Sequence, residues 1–444
     1  MTPDERRERG RAERKRVPRR AHAQLPGPDA RVDPLALVAE QNRTRLPQIV
    51  PVRWGRMAQS PFGWLRGSPV VMTADLAGTP TTSITVQLCG DAHLLNFGLY
   101  GAPDRRQVFD LNDFDETLAG PFEWDVKRLA ASAVVAARTA GFRAGVAKRA
   151  AREAASSYRT HMARFAAQRA LEVWYDVIDV DRVIATVRPE HVKTLQRRAA
   201  RARDQTSLSV LPKLSEATEG GRRLRDHPPL LRRLTDADRL GAIDELVDLY
   251  RASLADELRP LVDRFTAVDV ALKVVGVGSV GTRCFVTLLD GSGDGRDLLF
   301  LQVKEAPPSV LEAHLDPSPY ATGGERVVRG QRMMQATSDI LLGWFEAFGH
   351  SYYVRQLRDM KAGVDMTRIA PDPFVRYCGL CGWVLARAHA RTGDAAAISG
   401  YLGRGTSFDD AIAAFAVDYA AVAVADHALL LEAVAAGDIV TEDA

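Results

Sequence analysis

The sequence predicts an α+β protein of two lobes, a β-rich stretch set inside a helix-rich chain. Three observations predict it. Ala, Arg, Leu and Val recur at three- and four-residue spacing from Trp124 to about Val187, and helical pattern returns from Pro373 onward. Between them Asp269–Val275, Cys284–Leu289 and Leu298–Lys304 read as three consecutive strands. A glycine loop in that β-rich stretch and an acidic constellation far upstream each look like half of one site. The chain divides accordingly into a flexible basic tail (1–34), a helical lobe with the acidic loops (35–265), a β-rich lobe (266–360) and helices that return to the helical lobe (361–444).

Composition sets the limits. The chain has 444 residues, 46% of them hydrophobic, enough to bury a large core and to exclude wholesale disorder. The net charge of +3 is too small for a general polyanion binder, although residues 1–20 hold nine Arg or Lys against four acids. That arm reads as a solvated tail, with phosphate or nucleic-acid contact as the alternative. Four cysteines make no disulfide framework. No charged segment followed by an apolar one opens the chain, and the apolar run Ala411 to Ala436 is broken by Asp418, Asp426 and Glu432. A soluble, cytoplasmic protein with no membrane partner is expected.

The elements follow in order. Thr82–Leu88 alternates and is β-branched, so it reads as a strand, and Gln107–Leu111 as a second. Residues 188–240 read as helical and basic, with breaks at Gly220–Gly221 and Pro228–Pro229. Helix resumes over Asp236–Val262. Asp290–Asp297 is a turn-rich connection, Gly324–Ala336 a helix, and Ile340–Phe345 and Ser351–Leu357 further strands.

Gly276, Gly278 and Gly281 fit G-x-G-x-x-G. A dinucleotide fold would follow this loop with a helix. Here Cys284–Leu288 is β-prone, so the arrangement is strand, glycine loop, strand, as in protein kinases, where such a hairpin covers nucleotide phosphates. Glycines, with Ser279 among them, let backbone N–H groups approach phosphate oxygens. Lys304 then ends an apolar strand. A lysine there needs a partner if it is buried; the alternative is an edge lysine in solvent. Glu312 and Glu325 are the two carboxylates considered for it.

The acidic constellation starts at Cys89-Gly90-Asp91-Ala92-His93-Leu94-Leu95-Asn96. Phosphoryl transfer needs a carboxylate to orient the attacking hydroxyl and oxygen ligands for Mg²⁺. Asp91 suits the first task and Asn96 the second. Phe109-Asp110-Leu111-Asn112-Asp113-Phe114-Asp115-Glu116 follows, with Asp113 just after a short apolar strand. Four acids this close would repel one another without a cation, which points to Asp113 and Asp115 as further metal ligands. Asp125 sits near a helix start, either as an ordinary helix-start acid or as a buried acceptor for N–H groups of the Asp91 loop.

Together LCGDAHLLNFG, FDLNDFDE, GPFEWDVKRLAAS, VGVGSVGTRCFV, LQVKEA and YVRQLRDMK resemble a bacterial family known as domain of unknown function 2252, from about residue 17 to the end. GDAHLLN is also similar, more distantly, to the H-G-D-x-H-x-x-N loop of aminoglycoside and choline phosphotransferases, which share the kinase fold. That resemblance implies ATP and Mg²⁺ as cofactors, Asp91 as catalytic aspartate, Asn96 and Asp113 as magnesium ligands, and His93 and Asp125 as support. It implies that Gly276, Gly278, Ser279, Gly281 and Lys304 hold nucleotide phosphates, and that Tyr353–Leu357 with Arg358 and Asp359 form an inter-lobe hinge. Cys89 stands where those enzymes have histidine. The order is also reversed, with the catalytic loop before the glycine loop, which a circular permutation would explain. The acceptor, a small molecule or a protein, is not coded in the helical lobe. The rival readings are a nucleotide-binding pseudokinase, a nucleotidyl transferase, and a basic-armed nucleic-acid binder resting on residues 1–20 and Lys193–Arg203.

Other features read as structural. Cys378 and Cys381 form one C-x-x-C in a helix, better read as core residues than as a zinc site. His389 and the Asp426-His427 pair have no obvious chemical partner. Arg53, Arg56 and Arg66 flank an aromatic segment and suit either ion pairs or an anionic substrate.

Overall fold

A computed structural model describes residues 1–444 apart from 28–29, 186–188, 205–208, 210, 219–220, 235–242, 358–359, 361–362, 367 and 443–444. Its central feature is a six-stranded antiparallel sheet. The strands are β7 (Leu231–Arg233), β8 (Thr266–Lys273), β9 (Cys284–Asp290), β10 (Leu298–Glu305), β11 (Gly343–Ala347) and β12 (His350–Gln356), in the order β11-β12-β10-β9-β8-β7. Apolar and β-branched residues fill β9 and β10, which suits a sheet covered on both faces. The period of two decides what each face carries. Leu299, Leu301 and Val303 of β10 join the cluster around Tyr250 and Leu254, beneath the helix Ile243–Ala252. Phe300, Gln302 and Lys304 point the other way, and Lys304 and Gln302 face the cleft between the lobes.

One stretch departs from the expected helix. β5 (Ser215–Thr218) pairs antiparallel with β6 (Gly221–Leu224), and β7 pairs with β8 at the sheet edge. Their arginine-rich sequence hides the strands because an edge strand solvates its long side chains. Asp236, the expected start of the next helix, lies outside the described residues; helix is present at Ile243–Ala252 and Arg259–Val262.

The helical lobe is built from both sides of the sheet in sequence. Helix α6 (Glu123–Thr139) is buried from Glu123 to Ala137 and packs on α7 (Ala144–Phe165). The helices Pro371–Thr392 and Ser407–Ala436 pack on the same pair. Alanines on α7 (Ala147, Ala150, Ala151, Ala154) allow close approach: a Cβ on Gly382 would lie 2.1 Å from the Ala154 carbonyl oxygen. Ser407–Ala436 is, among the described residues, the one helix long and apolar enough to cross a membrane by length and composition. It packs inside the lobe through Phe408, Ile412, Phe415 and Tyr419, and buried Asp409 pairs with Arg159 at 2.8 Å.

The N-terminal region is folded over most of its length, which corrects the expected flexible tail. Helix α1 (Pro3–Arg16) opens on a Thr2 capping box and lies against Ala395–Leu402. The contact runs through glycine: a Cβ on Gly10 would sit 1.9 Å from the Ala397 carbonyl oxygen, and one on Gly400 would sit 2.1 Å from that of Arg7. Much of the basic charge is spent locally. Arg6 and Arg9 pair with Asp394, Arg14 donates to the Tyr401 carbonyl, and Arg19 to that of Leu402. His22 is buried with its Nε2 2.7 Å from the Tyr401 hydroxyl. Arg31 bridges Asp75 and Asp426 at 2.8 and 2.9 Å.

Candidate functional site

Two small two-stranded antiparallel sheets carry the acidic loops. β1 (Thr85–Leu88) pairs with β4 (Leu118–Pro121), and β2 (Phe97–Gly101) with β3 (Gln107–Leu111). The Asp91 loop leaves β1, and the Asp113 loop leaves β3. They are tied together where the Asn112 N–H donates to the Asn96 carbonyl at 2.8 Å. Gly90, at φ +81°, is required here: a Cβ would sit 2.2 Å from the Glu116 carbonyl oxygen. Asp125, in the first turn of α6, accepts from the Cys89 N–H at 2.8 Å and the Gly90 N–H at 3.1 Å. His389 holds Asp125 in turn, with its Nε2 3.2 Å away and its Nδ1 2.9 Å from the Tyr158 hydroxyl.

Asp91 meets a partner that the sequence reading missed. Arg128, one turn beyond Asp125 on α6, donates its Nε to Oδ1 of Asp91 at 2.8 Å, and its Nη2 lies 2.7 Å from the same oxygen. Oδ2 is left toward the His93 ring, 3.6 Å away. Burial pushes His93 down to about 3, so the ring is neutral at physiological pH. The three-residue offset from Asp125 was the available signal for Arg128, since i and i+3 share a helix face. Asn96 donates its Nδ2 to the Asp91 carbonyl at 2.7 Å, which leaves its amide oxygen as the end able to face a cation.

Lys304 crosses from the other lobe. Its side chain is 2% exposed, and its Nζ lies 2.6 Å from Asp115 and 3.6 Å from Asp113. Neither carboxylate proposed from sequence is its partner. Glu312 caps its own turn at Ser309 and lies 3.7 Å from Arg326, while Glu325 lies 3.4 Å from Arg329. Asp115 takes that place instead, 189 residues away. Its Oδ1 accepts from the Tyr353 hydroxyl at 2.7 Å, and its Oδ2 from Lys304 and, at 2.9 Å, from Ser279. Burial raises the Asp115 carboxyl, but the Lys304 ammonium outweighs burial and holds it below the usual carboxylate range. Burial lowers Lys304, and Asp113 and Asp115 raise it beyond that, well above the usual lysine value. Both Asp115 oxygens therefore accept from protein donors.

The acids in this segment have partners within the protein. Asp110 is buried against Arg387, Asp115 against Lys304, and Glu116 accepts from the Val310 N–H at 2.8 Å. The expected hinge differs as well. Tyr353–Gln356 lies within β12, where Tyr353 stands opposite Lys304, and Arg355 donates to the Asn112 carbonyl; Arg358 and Asp359 lie outside the described residues.

The glycine loop joins β8 to β9. Gly276 and Gly281 have φ of +60° and +87°, conformations that favour glycine. Arg56 donates to the Gly276 carbonyl, which ties the loop to the helical lobe. The cleft has two chambers, of about 830 and about 280 Å³. Asn96, Asp113, Gly276 and Ser279 line both. The larger reaches Lys304, Gln356 and Leu357; the smaller holds Asp91, His93 and Gly278.

The remaining sequence features fall away from this cleft or brace it. Cys378 and Cys381 are buried, and burial pushes both thiols up. Asp426 pairs with Arg31, and His427 meets the Ala58 carbonyl. Arg53 is fully buried on Asn42, Gln41 and the Gly67 carbonyl.

The fold and site define an α+β protein whose two lobes share one charged cleft. The chain belongs to the family described as an uncharacterized protein conserved in bacteria, DUF2252, which matches residues 45–433. No curated protein and no solved structure matches it.

Proposed function

We propose that the chain is an ATP- and Mg²⁺-dependent phosphotransferase with a circularly permuted, kinase-like fold, acting on a hydroxyl acceptor. The observation that carries this reading is the buried Lys304 ammonium beside Asp115 and Asp113, in the cleft that Asp91 enters from the other lobe. The permutation draws support from the helices beyond Pro371, which pack on α6 and α7 and complete the lobe begun before the sheet.

Asp91 Oδ2 orients the acceptor hydroxyl and takes its proton as the new P–O bond forms. The bond between the γ-phosphorus and the bridging oxygen breaks, and its electron pair leaves with ADP. Arg128 fixes the Asp91 rotamer through Oδ1. Lys304 passes from Asp115 to the phosphates, and the glycine loop offers its N–H groups to them. Asn96 and Asp113 would hold magnesium, which when bound offsets charge on the phosphate oxygens. Among the described residues no three His, Cys, Asp or Glu side chains form a metal cluster. That suits an ion that takes few protein ligands and completes its shell with water and phosphate.

A second reading, a nucleotide-binding switch that transfers nothing, draws on the Arg128 salt bridge, which neutralises Asp91. Cell lysate incubated with the chain and ATP labelled at the γ- or the α-phosphate separates these readings. Label from γ only, lost in Asp91→Asn, supports phosphotransfer. Label from α only points to nucleotidyl transfer, and no label to the switch.

A further inference from the structure

The hydrogen-bond donors of the smaller chamber are not all satisfied within the protein. Its acids each have a partner. Asp91 pairs with Arg128, Asp115 with Lys304, and Glu305 with Arg283 and His350. Asp113 lies 3.6 Å from Lys304. Glu116 accepts a backbone N–H, and burial raises its carboxyl toward the neutral form.

Two arginines on the same wall lack such partners. Among the described residues Arg66 has no carboxylate within ion-pair distance and no hydrogen bond; its contact is the Phe62 ring, 5.9 Å from the guanidinium carbon. Its Nε is buried without a partner. Arg45 is 8% exposed, and its one hydrogen bond goes to the Val280 carbonyl. Burial lowers both guanidinium groups, Arg45 to about 10, against the opposing pull of Glu116, Glu305 and Asp115 on Arg45 and of Asp91 and Asp113 on Arg66. Guanidinium donors held from water without hydrogen-bond partners are costly, and a bound anion relieves that cost. His93, on the same wall, has a buried Nδ1 with no partner.

We propose that this chamber receives an acceptor that carries an anionic group, a carboxylate or a phosphate, which Arg66 and Arg45 bind while its hydroxyl meets Asp91. This deepens the phosphotransferase reading and rests on it for the role of the hydroxyl. The volume of about 280 Å³ fits a small molecule. Guanidinium is suited to either anion because its fork donates two parallel hydrogen bonds.

The test uses the full chain without nucleotide and reads binding by calorimetry. The probes are inorganic phosphate, glycerol 3-phosphate and glycerate, with glycerol as the uncharged control. The proposal expects the anions to bind and glycerol not to. Arg66→Gln and Arg45→Gln should each weaken the anions about tenfold or more, and Arg66→Lys should recover part of the loss. Anion binding that survives both Arg66→Gln and Arg45→Gln would place the anion away from these arginines and overturn the proposal. So would the absence of binding by all three anions at millimolar concentration. Because nucleotide is left out, these outcomes do not depend on whether phosphotransfer occurs.

Discussion

The cleft contains two buried cation–carboxylate pairs that differ in what they join. Arg128 and Asp91 lie in one lobe, 37 residues apart, and Arg128 also donates to the Leu65 carbonyl at 2.6 Å. Lys304 and Asp115 lie in different lobes, and their contact exists only while the lobes are closed. The first pair aims a side chain; the second measures the distance between two bodies. Asp115 also gathers Tyr353 and Ser279, so sheet, glycine loop and acidic loop converge on one carboxylate.

The contrast can be broken in order of effect. Lys304→Met strands Asp115 without its cation, and unfolding free energy should fall by about 3–5 kcal/mol. Adding Asp115→Asn should restore most of it, as a denaturant titration of the three proteins would show. Asp91→Asn still offers Arg128 an acceptor, so the fold should hold while turnover on the labelled acceptor falls about 10²–10⁴-fold. Unchanged turnover would remove Asp91 from its role.

Acid should separate the pairs next. Asp115 has a lowered folded-state pKa, so its contribution is present above the unfolded carboxylate value of about 3.9 and is lost as pH falls through the lower folded value. Lys304 has a raised one, so its contribution is present below about 10.4 and fades only as pH rises through the higher folded value. The inter-lobe pair should therefore be constant through the neutral range. Asp115→Asn should flatten the loss of urea midpoint on acidification. Ser279→Ala should be the smallest change, about 0.5–1.5 kcal/mol in stability from one hydrogen bond.

The sequence made some of this architecture legible for physical reasons. The near-continuous apolar runs of β9 and β10 record burial on two faces, and the helical spacing of α6 and α7 records one shared core. Asp125 was readable as one of two alternatives, an ordinary helix-start acid or an acceptor for the Asp91 loop, and it accepts from the Cys89 and Gly90 N–H groups. Lys304's partner was not, because the search followed the chain to the next helix, whereas the pairing depends on how two lobes close. Helix α1 was hidden because its packing uses Gly10 and Gly400 rather than a stripe of large apolar residues, so periodicity had nothing to detect. The strands at 215–233 were hidden because arginine at a solvated edge carries little β signal.

The docking of α1 on Ala395–Leu402 has a consequence for the order in which the molecule is made. Some 380 residues separate the two segments, so at about 5–20 residues per second the ribosome delivers the partner roughly 20–80 s after α1 emerges. During that interval Gly10 has no surface to meet, and the charges of Arg6, Arg9 and Arg14 keep the waiting helix in water. The helical lobe is thus assembled from its two ends last, around a sheet already synthesised.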